Sequence, residues 1–364
     1  MPFDYRVTET SFAGPTFRLS TYPAHCRNAD RPVTPPTNPQ PLVIFSTAPL
    51  RGPGLAALNA LGTVICDPWI DQRPLRIYNE KQLAERALAE GATVLICEAD
   101  RCAGPVFDLP LVAIGSTRGD PTNVDLVGAT ERGIPVLRAP GRNADGVAEM
   151  AVAMLFAVTR HLLVADRDVR QGQVFANGTI PYQRFRAWQL AGRTVGVVGL
   201  GAVGQAARWR FEGLGMRVIA SDPFNPAATH SLDDLLAEAD IVSMHAAVTP
   251  DTLHVMSAER FAQMRPGAVY VNTARAGLHD LDALTGALQS GHLSAAALDH
   301  FDGETIAVDH PLVGMENVLL APHIGGATYD TEITHTTLMA DGLAALLRGE
   351  APTNLANPEV RINA

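Results

Sequence analysis

The chain has 364 residues and a mass of 38.7 kDa, which at roughly 100–200 residues per domain reads as two domains. Apolar residues make up 47% of it and charged residues 18%, enough to bury sizeable cores and too apolar for broad disorder. The net charge of −10 repels phosphate backbones and anionic lipid heads, so neither nucleic acid nor a membrane is an expected partner.

Residues 1–40 are rich in Pro, Thr and Asn, with Pro32, Pro35, Pro36 and Pro39 close together; they predict an irregular extension. Asp4, Arg6 and Glu9 interrupt the apolar core that a signal peptide needs, so the expected location is cytoplasmic. From Pro41 short β-branched runs (Leu42–Phe45, Thr63–Cys66, Thr93–Cys97, Leu111–Ile114, Val136–Leu137) alternate with helical stretches such as Glu80–Ala89. That alternation predicts βαβ units and a parallel sheet.

A long helix is expected from about Asn143, capped by Asn143 or Asp145 and apolar through Met150, Met154, Leu155 and Val158. The apolar run Ala151 to Val158 ends at Thr159-Arg160-His161, well short of the roughly 20 residues that span a bilayer. Residues 165–188 lose periodicity and read as an extended connecting arm. After Gly192 six strands are expected, at Thr194–Val198, Arg217–Ser221, Ile241–Met244, Ala268–Asn272, Ala295–Leu298 and Val318–Ala321. They suit a doubly wound domain. A last helix, from about Thr331 through Leu347, stops at Gly349–Pro352 and is expected to return to the first domain. Cys26, Cys66, Cys97 and Cys102 have neither C-x-x-C spacing nor a His cluster, so they read as buried or idle thiols and no metal ligands are assigned.

Gly199-Leu200-Gly201-Ala202-Val203-Gly204 is G-x-G-x-x-G, lying between the strand Val195–Val198 and the helical stretch Ala206–Leu214. Gly199 permits the tight turn, Gly201 admits a pyrophosphate to the backbone N–H groups, and Gly204 lets helix pack on strand. Eighteen residues past Gly204, Asp222 ends the next strand. Its carboxylate suits a ribose diol and repels a 2′-phosphate, which favours NAD over NADP; taken alone, it also fits a turn cap. Arg275, Glu304 and His323 stand at or just beyond predicted strand ends, where open α/β sheets place ligands. Arg275 suits a substrate carboxylate, or singly a surface salt bridge. His323 is of the residue type suited to a proton donor and acceptor, or singly a structural histidine, and Glu304 is the candidate carboxylate beside it.

Over about residues 41–364 these segments resemble the NAD-dependent D-isomer-specific 2-hydroxyacid dehydrogenases, which include D-3-phosphoglycerate dehydrogenase. The resemblance rests on Asn123–Asp125, Ala129–Val136, Ala139–Asn143, the glycine loop, Val271–Arg275, Ala296–Asp299 and Pro322–Thr328. It implies an α/β fold of two doubly wound parallel-sheet domains, a split flavodoxin-like substrate domain (41–140, completed by 327–364) and a Rossmann-type NAD-binding domain (141–326). It also implies a homodimer joined through an arm at about 160–190. In the implied roles Arg275 binds the 2-keto acid, Glu304 orients His323, and His323 is the acid/base. Asp299 holds the nicotinamide carboxamide region, while Ala202, Val203, Asp222, Ala246, Thr273, Ala274, Gly325 and Gly326 line the cofactor.

The chain departs from the family pattern in its substrate loop, where Ser116–Thr122 replaces the usual Arg-Ala-Gly-x-Gly. There Arg118, with Gly119, offers a cation to a phosphorylated or sugar acid, or pairs with Asp120. Ala246-Ala247, Ala276 and Thr305 also differ from the usual residues. The expected reaction is hydride transfer between NAD(H) and C2 of a D-2-hydroxy acid or 2-keto acid. The rival readings are an NAD(H)-sensing, corepressor-like interaction protein without catalysis, and a formate dehydrogenase, which typically pairs its His with Gln where Glu304 stands.

Overall fold

The computed structural model describes residues 42–362; the extension expected at 1–40 lies outside the described residues. Five strands, β1 (Leu42–Ser46), β2 (Gly62–Cys66), β3 (Val94–Cys97), β4 (Ala113–Ser116) and β5 (Val136–Leu137), form a parallel sheet in the order β2-β1-β3-β4-β5. This is the flavodoxin-like order. The crossovers include α1 (Pro53–Leu61), α2 (Glu80–Ala89) and α3 (Leu126–Glu131). α2 starts where the sequence places it because Asn79 and Gln82 form a reciprocal capping box. The strand expected from Leu111 begins instead at Ala113, since Pro110 has no N–H for a ladder and Leu111 N–H turns back to Leu109 O.

The connecting segment holds α4 (Ala144–Thr159), α5 (Leu162–Arg170) and α6 (Pro181–Arg184). The extended arm expected over 165–188 is thus corrected to helix and turn. Its order comes from Asp168, 2% exposed, whose carboxylate takes Arg184 on one oxygen and Arg167 at 3.5 Å on the other. A buried carboxylate with two guanidinium partners fixes a segment that has little apolar periodicity, and composition alone does not reveal that pairing. At the start of α4 Asn143 occupies the N-cap without making a side-chain cap bond, and Asp145 instead pairs with Arg210 at 2.9 Å.

The second sheet comprises β6 (Thr194–Val198), β7 (Arg217–Ser221), β8 (Ile241–Met244), β9 (Ala268–Asn272), β10 (Leu293–Leu298) and β11 (Val318–Leu320) in the order β11-β10-β9-β8-β6-β7, all parallel. Its helices are α7 (Ala202–Gly213), α8 (Leu232–Glu238), α9 (Ala258–Gln263) and α10 (Leu281–Gln289), and α11 (Tyr329–Leu347) follows the sheet. Alternate residues serve opposite faces: Val195 and Val197 join α4 and α7 in one core, while Val198 joins Leu235, Phe261 and Leu284 in the other. The first sheet is covered in the same way, by α2 and α3 on the Phe45 face and by α1 and α11 on the Ile44 face. Met339 and Leu343 of α11 pack there, and the tail follows them, with Asn357 Oδ1 accepting from Val136 N–H at 2.8 Å. Among the described residues no single helix is long and apolar enough to cross a membrane.

Candidate active site

In a parallel sheet every strand ends on the same edge, so residues distant in sequence meet there. β6 turns at Gly199, whose φ is +92°; a Cβ there would lie 2.6 Å from Ala246 N, in the loop after β8. A Cβ at Gly204 would lie 1.9 Å from Gly199 O, while one at Gly201 meets nothing within 4 Å. Two of the glycines are therefore demanded by the protein's own packing, and the third faces open space. Asp222, at the end of β7, accepts from Leu200 N–H at 2.7 Å and from Phe224 N–H at 2.9 Å. It braces the glycine loop, and the remaining lone pairs of its oxygens stay available for a diol. α7 begins at Ala202, earlier than the Ala206 expected, and no side chain caps it. By contrast Asn79, Asp125, Ser231, Asp280 and Thr328 cap α2, α3, α8, α10 and α11.

The neighbouring strands β9, β10 and β11 carry the second group. Asn272 closes β9 and organises the turn beyond it, accepting from Ala274 N–H at 2.9 Å and donating to Arg275 O at 2.8 Å. Arg275 is exposed; its guanidinium donates to Ala274 O and has no carboxylate partner among the described residues, so the salt-bridge reading does not hold. After β10, Asp299 is buried and accepts from Ile324 N–H at 2.9 Å and Gly325 N–H at 2.7 Å. It thus fixes the loop that presents His323. His323 and Glu304 both adopt left-handed backbone, at φ +56° and +61°, uncommon for non-glycine residues and seen where surroundings over-determine the geometry. His323 Nδ1 and Glu304 Oε1 are 2.8 Å apart, which leaves the other ring nitrogen for a ligand. Gly326 sits against Asn143, whose Nδ2 is 2.9 Å from where a Cβ would be.

Several residues here were not singled out in the sequence. His300 is 5% exposed and its ring lies 3.8 Å from that of His323, centroid to centroid. Burial first, then the nearby positive charges of His323 and Arg275, push His300 down to about 4. His300 therefore reports that Arg275 and His323 share one neighbourhood. On the opposite side, Arg142 beside α4 pairs with Glu98 after β3 and lies 2.9 Å from His335 Nδ1 on α11. Burial opposes the charge on Glu98, but the Arg142 guanidinium prevails and holds its carboxyl below the usual range. The Ala139–Asn143 segment was read for its resemblance alone, and only the fold shows that Arg142 is an ion-pair partner. Arg118 donates to Thr122 Oγ1 at 3.0 Å rather than pairing with Asp120. Cys97 and Cys102 are buried, whereas Cys66 is exposed.

Comparison with known proteins decides the family. The model of the D-isomer specific 2-hydroxyacid dehydrogenase, NAD binding domain, matches residues 152–325. The chain is 35% identical over 306 residues to the glyoxylate reductase of Korarchaeum cryptofilum, covering 81% of this chain and 90% of that protein. The chain belongs to the D-isomer specific 2-hydroxyacid dehydrogenase family. It is also 38% identical over 311 residues to the D-3-phosphoglycerate dehydrogenase of Mycobacterium bovis, across 83% of this chain and 57% of that one. The crystal structure of the TT0316 protein from Thermus thermophilus superposes with a TM-score of 0.73 at 34% identity, covering 86% of this chain and all of that one.

This dehydrogenase is an NAD-dependent oxidoreductase of small 2-hydroxy and 2-keto acids. Three features of its structure fit NAD: the uncapped start of α7, the open space at Gly201, and Thr273 Oγ1, buried with no hydrogen-bond partner among the described residues. An orphaned buried hydroxyl at the end of β9 suits a polar group arriving with a ligand.

Beside the glycine loop His245 is half-buried, with its Nδ1 shut away from solvent and without a hydrogen-bond partner among the described residues, and desolvation pushes it down to about 4. Because it stays neutral in the fold but titrates near 6.5 when unfolded, the unfolded chain binds the extra proton between those values, and stability falls as pH drops through that window. Urea unfolding at pH 7.5 and pH 4.5 is expected to show His245→Gln losing about 2–3 kcal/mol less than wild type on acidification. Equal losses would remove His245 as a source of acid sensitivity.

Proposed function

We propose that the chain transfers a hydride reversibly between NAD(H) and C2 of a D-2-hydroxy acid or 2-keto acid, with His323 as proton donor and acceptor. The observation that carries this reading is the His323–Glu304 contact at 2.8 Å on the strand edge that also presents Arg275. With Nδ1 occupied by the Glu304 carboxylate, the free ring nitrogen serves the C2 oxygen. Arg275, with no carboxylate partner among the described residues, binds the substrate's carboxylate through its planar fork and stabilises charge developing on the carbonyl oxygen. Bound NADH supplies the hydride from its nicotinamide ring. Asp299 keeps the His323 loop rigid while the cofactor is held by Gly199–Gly204, Asp222, Ala246, Thr273, Ala274, Gly325 and Gly326.

The substrate is a 2-keto acid with a polar head, phosphorylated or polyhydroxylated. Arg118 supports this, being exposed on the loop of the first sheet, its guanidinium bonded among the described residues to Thr122 alone. Leu162, Leu163, Val169, Phe175, Ile180, Tyr182 and Trp188, all exposed, support the arm at about 160–190 as the contact with a second copy.

A turnover panel of glyoxylate, hydroxypyruvate and 3-phosphohydroxypyruvate, followed by NADH absorbance, tests the reading. Arg118→Ala is expected to raise KM about tenfold or more for the acids with polar heads, on the 1.5–3 kcal/mol scale of hydrogen bonds to charged groups, and to leave glyoxylate within twofold. NADH binding without turnover of any acid would replace the dehydrogenase reading with the NAD(H)-sensing one.

A further inference from the structure

His300 follows Asp299 directly, just beyond the end of β10. His300 carries a nearly buried ring against that of His323 and, among the described residues, makes no hydrogen bond with either nitrogen. One ring nitrogen from each histidine and one carboxylate oxygen of Glu304 all lie within 4.8 Å of one another.

Ligand atoms about a tetrahedral zinc ion, bound at about 2.0–2.1 Å, are roughly 3.3–3.4 Å apart. Closing the cluster from that limit needs a shift of about an ångström or a little more, for which the side chains of Glu304 and His323, both exposed, leave room. Asp299 and Glu304 add negative charge around His300 against the positive charge of Arg275. Two imidazoles and a carboxylate, with a fourth position open, form a donor set suited to a borderline-soft divalent ion and unsuited to magnesium or calcium.

We propose that His300, Glu304 and His323 form a binding site for a zinc-type divalent cation, and that an ion held there inhibits the enzyme. Binding stands on the placement of the three side chains; inhibition rests on the proton role proposed for His323, whose nitrogen and carboxylate partner the ion would occupy.

Equilibrium dialysis of the full chain against zinc chloride, with metal analysis, tests the site without reference to activity. A background with Cys26 and Cys66 both replaced by serine leaves only the buried thiols Cys97 and Cys102. One zinc ion per chain is expected in that background, with affinity falling at least tenfold in His300→Val and likewise in Glu304→Ala. Zinc is also expected to suppress NADH turnover over the same concentration range as binding, and a chelator to restore it. Retention of zinc by both variants, or its loss in the serine background, overturns the site. Zinc bound in a His300-dependent manner with turnover undiminished overturns the inhibition alone. A metal-free enzyme that never turns over overturns the dehydrogenase reading and leaves the dialysis result standing.

Discussion

His323→Asn is expected to lower kcat for 2-keto acid reduction by about 10²–10⁴, the range for removal of a positioned proton donor, while NADH affinity stays within twofold. The reason is local to the edge of the second sheet. His323 is presented by a loop whose two following amides are held by Asp299 at 2.7 and 2.9 Å, and its Nδ1 is engaged by Glu304. Asparagine keeps a polar group and the tolerance of left-handed backbone that φ +56° requires, so the substitution removes the titrating ring with little strain. Rates within tenfold of wild type, measured at saturating NADH and keto acid, would take His323 out of the proton transfer. Since most of the proposed cofactor contacts lie on the glycine loop and the ends of β7 to β9, with only Gly325 and Gly326 close to His323, binding of NADH is the internal control.

The glycine loop yields the second large effect through a pair of substitutions that separate folding from cofactor binding. In Gly204→Ala the added methyl would sit 1.9 Å from Gly199 O, and Gly199 cannot retreat, because it is itself wedged against Ala246 N at φ +92°. Overpacking of this kind costs about 1–3 kcal/mol or more, so Gly204→Ala is expected to lose both thermal stability and NADH binding. In Gly201→Ala the methyl meets nothing within 4 Å, so stability is expected to stay within about 0.5 kcal/mol, the range for substitutions away from packed features, while NADH affinity falls at least tenfold as the methyl enters the space of the pyrophosphate. Calorimetric melting and fluorescence titration with NADH read the two quantities separately. Unchanged NADH binding in Gly201→Ala would show that the phosphates lie elsewhere.

Much of the architecture is written locally. The strands Thr194–Val198, Arg217–Ser221, Ile241–Met244 and Ala268–Asn272 fall where short β-branched runs bounded by turn residues put them, and α2 starts at its capping box. The connecting segment was less legible: α5 and α6 depend on the buried Asp168 with Arg167 and Arg184, partners that no periodicity announces. The candidate site divides in the same way. Gly199, Gly201 and Gly204 stand out by their spacing between a strand and a helix, and Asp222 by its distance from them. By contrast, the histidine that lies against His323 is identified only by its ring contact.

From its sequence alone this chain determines which segments become strand or helix, where the glycine-rich turn between strand and helix lies, and which residue types are offered at the strand ends, because periodicity, capping and glycine spacing act over a few residues. The tertiary structure decides who meets whom. Arg275 and His323 are 48 residues apart in the chain, and they become neighbours because β9, β10 and β11 lie side by side with their ends on one edge. The Glu98–Arg142–His335 contacts and the unpaired hydroxyl of Thr273 likewise arise from packing, since the cost of burying a charge or a hydroxyl is set by its surroundings in space rather than along the chain.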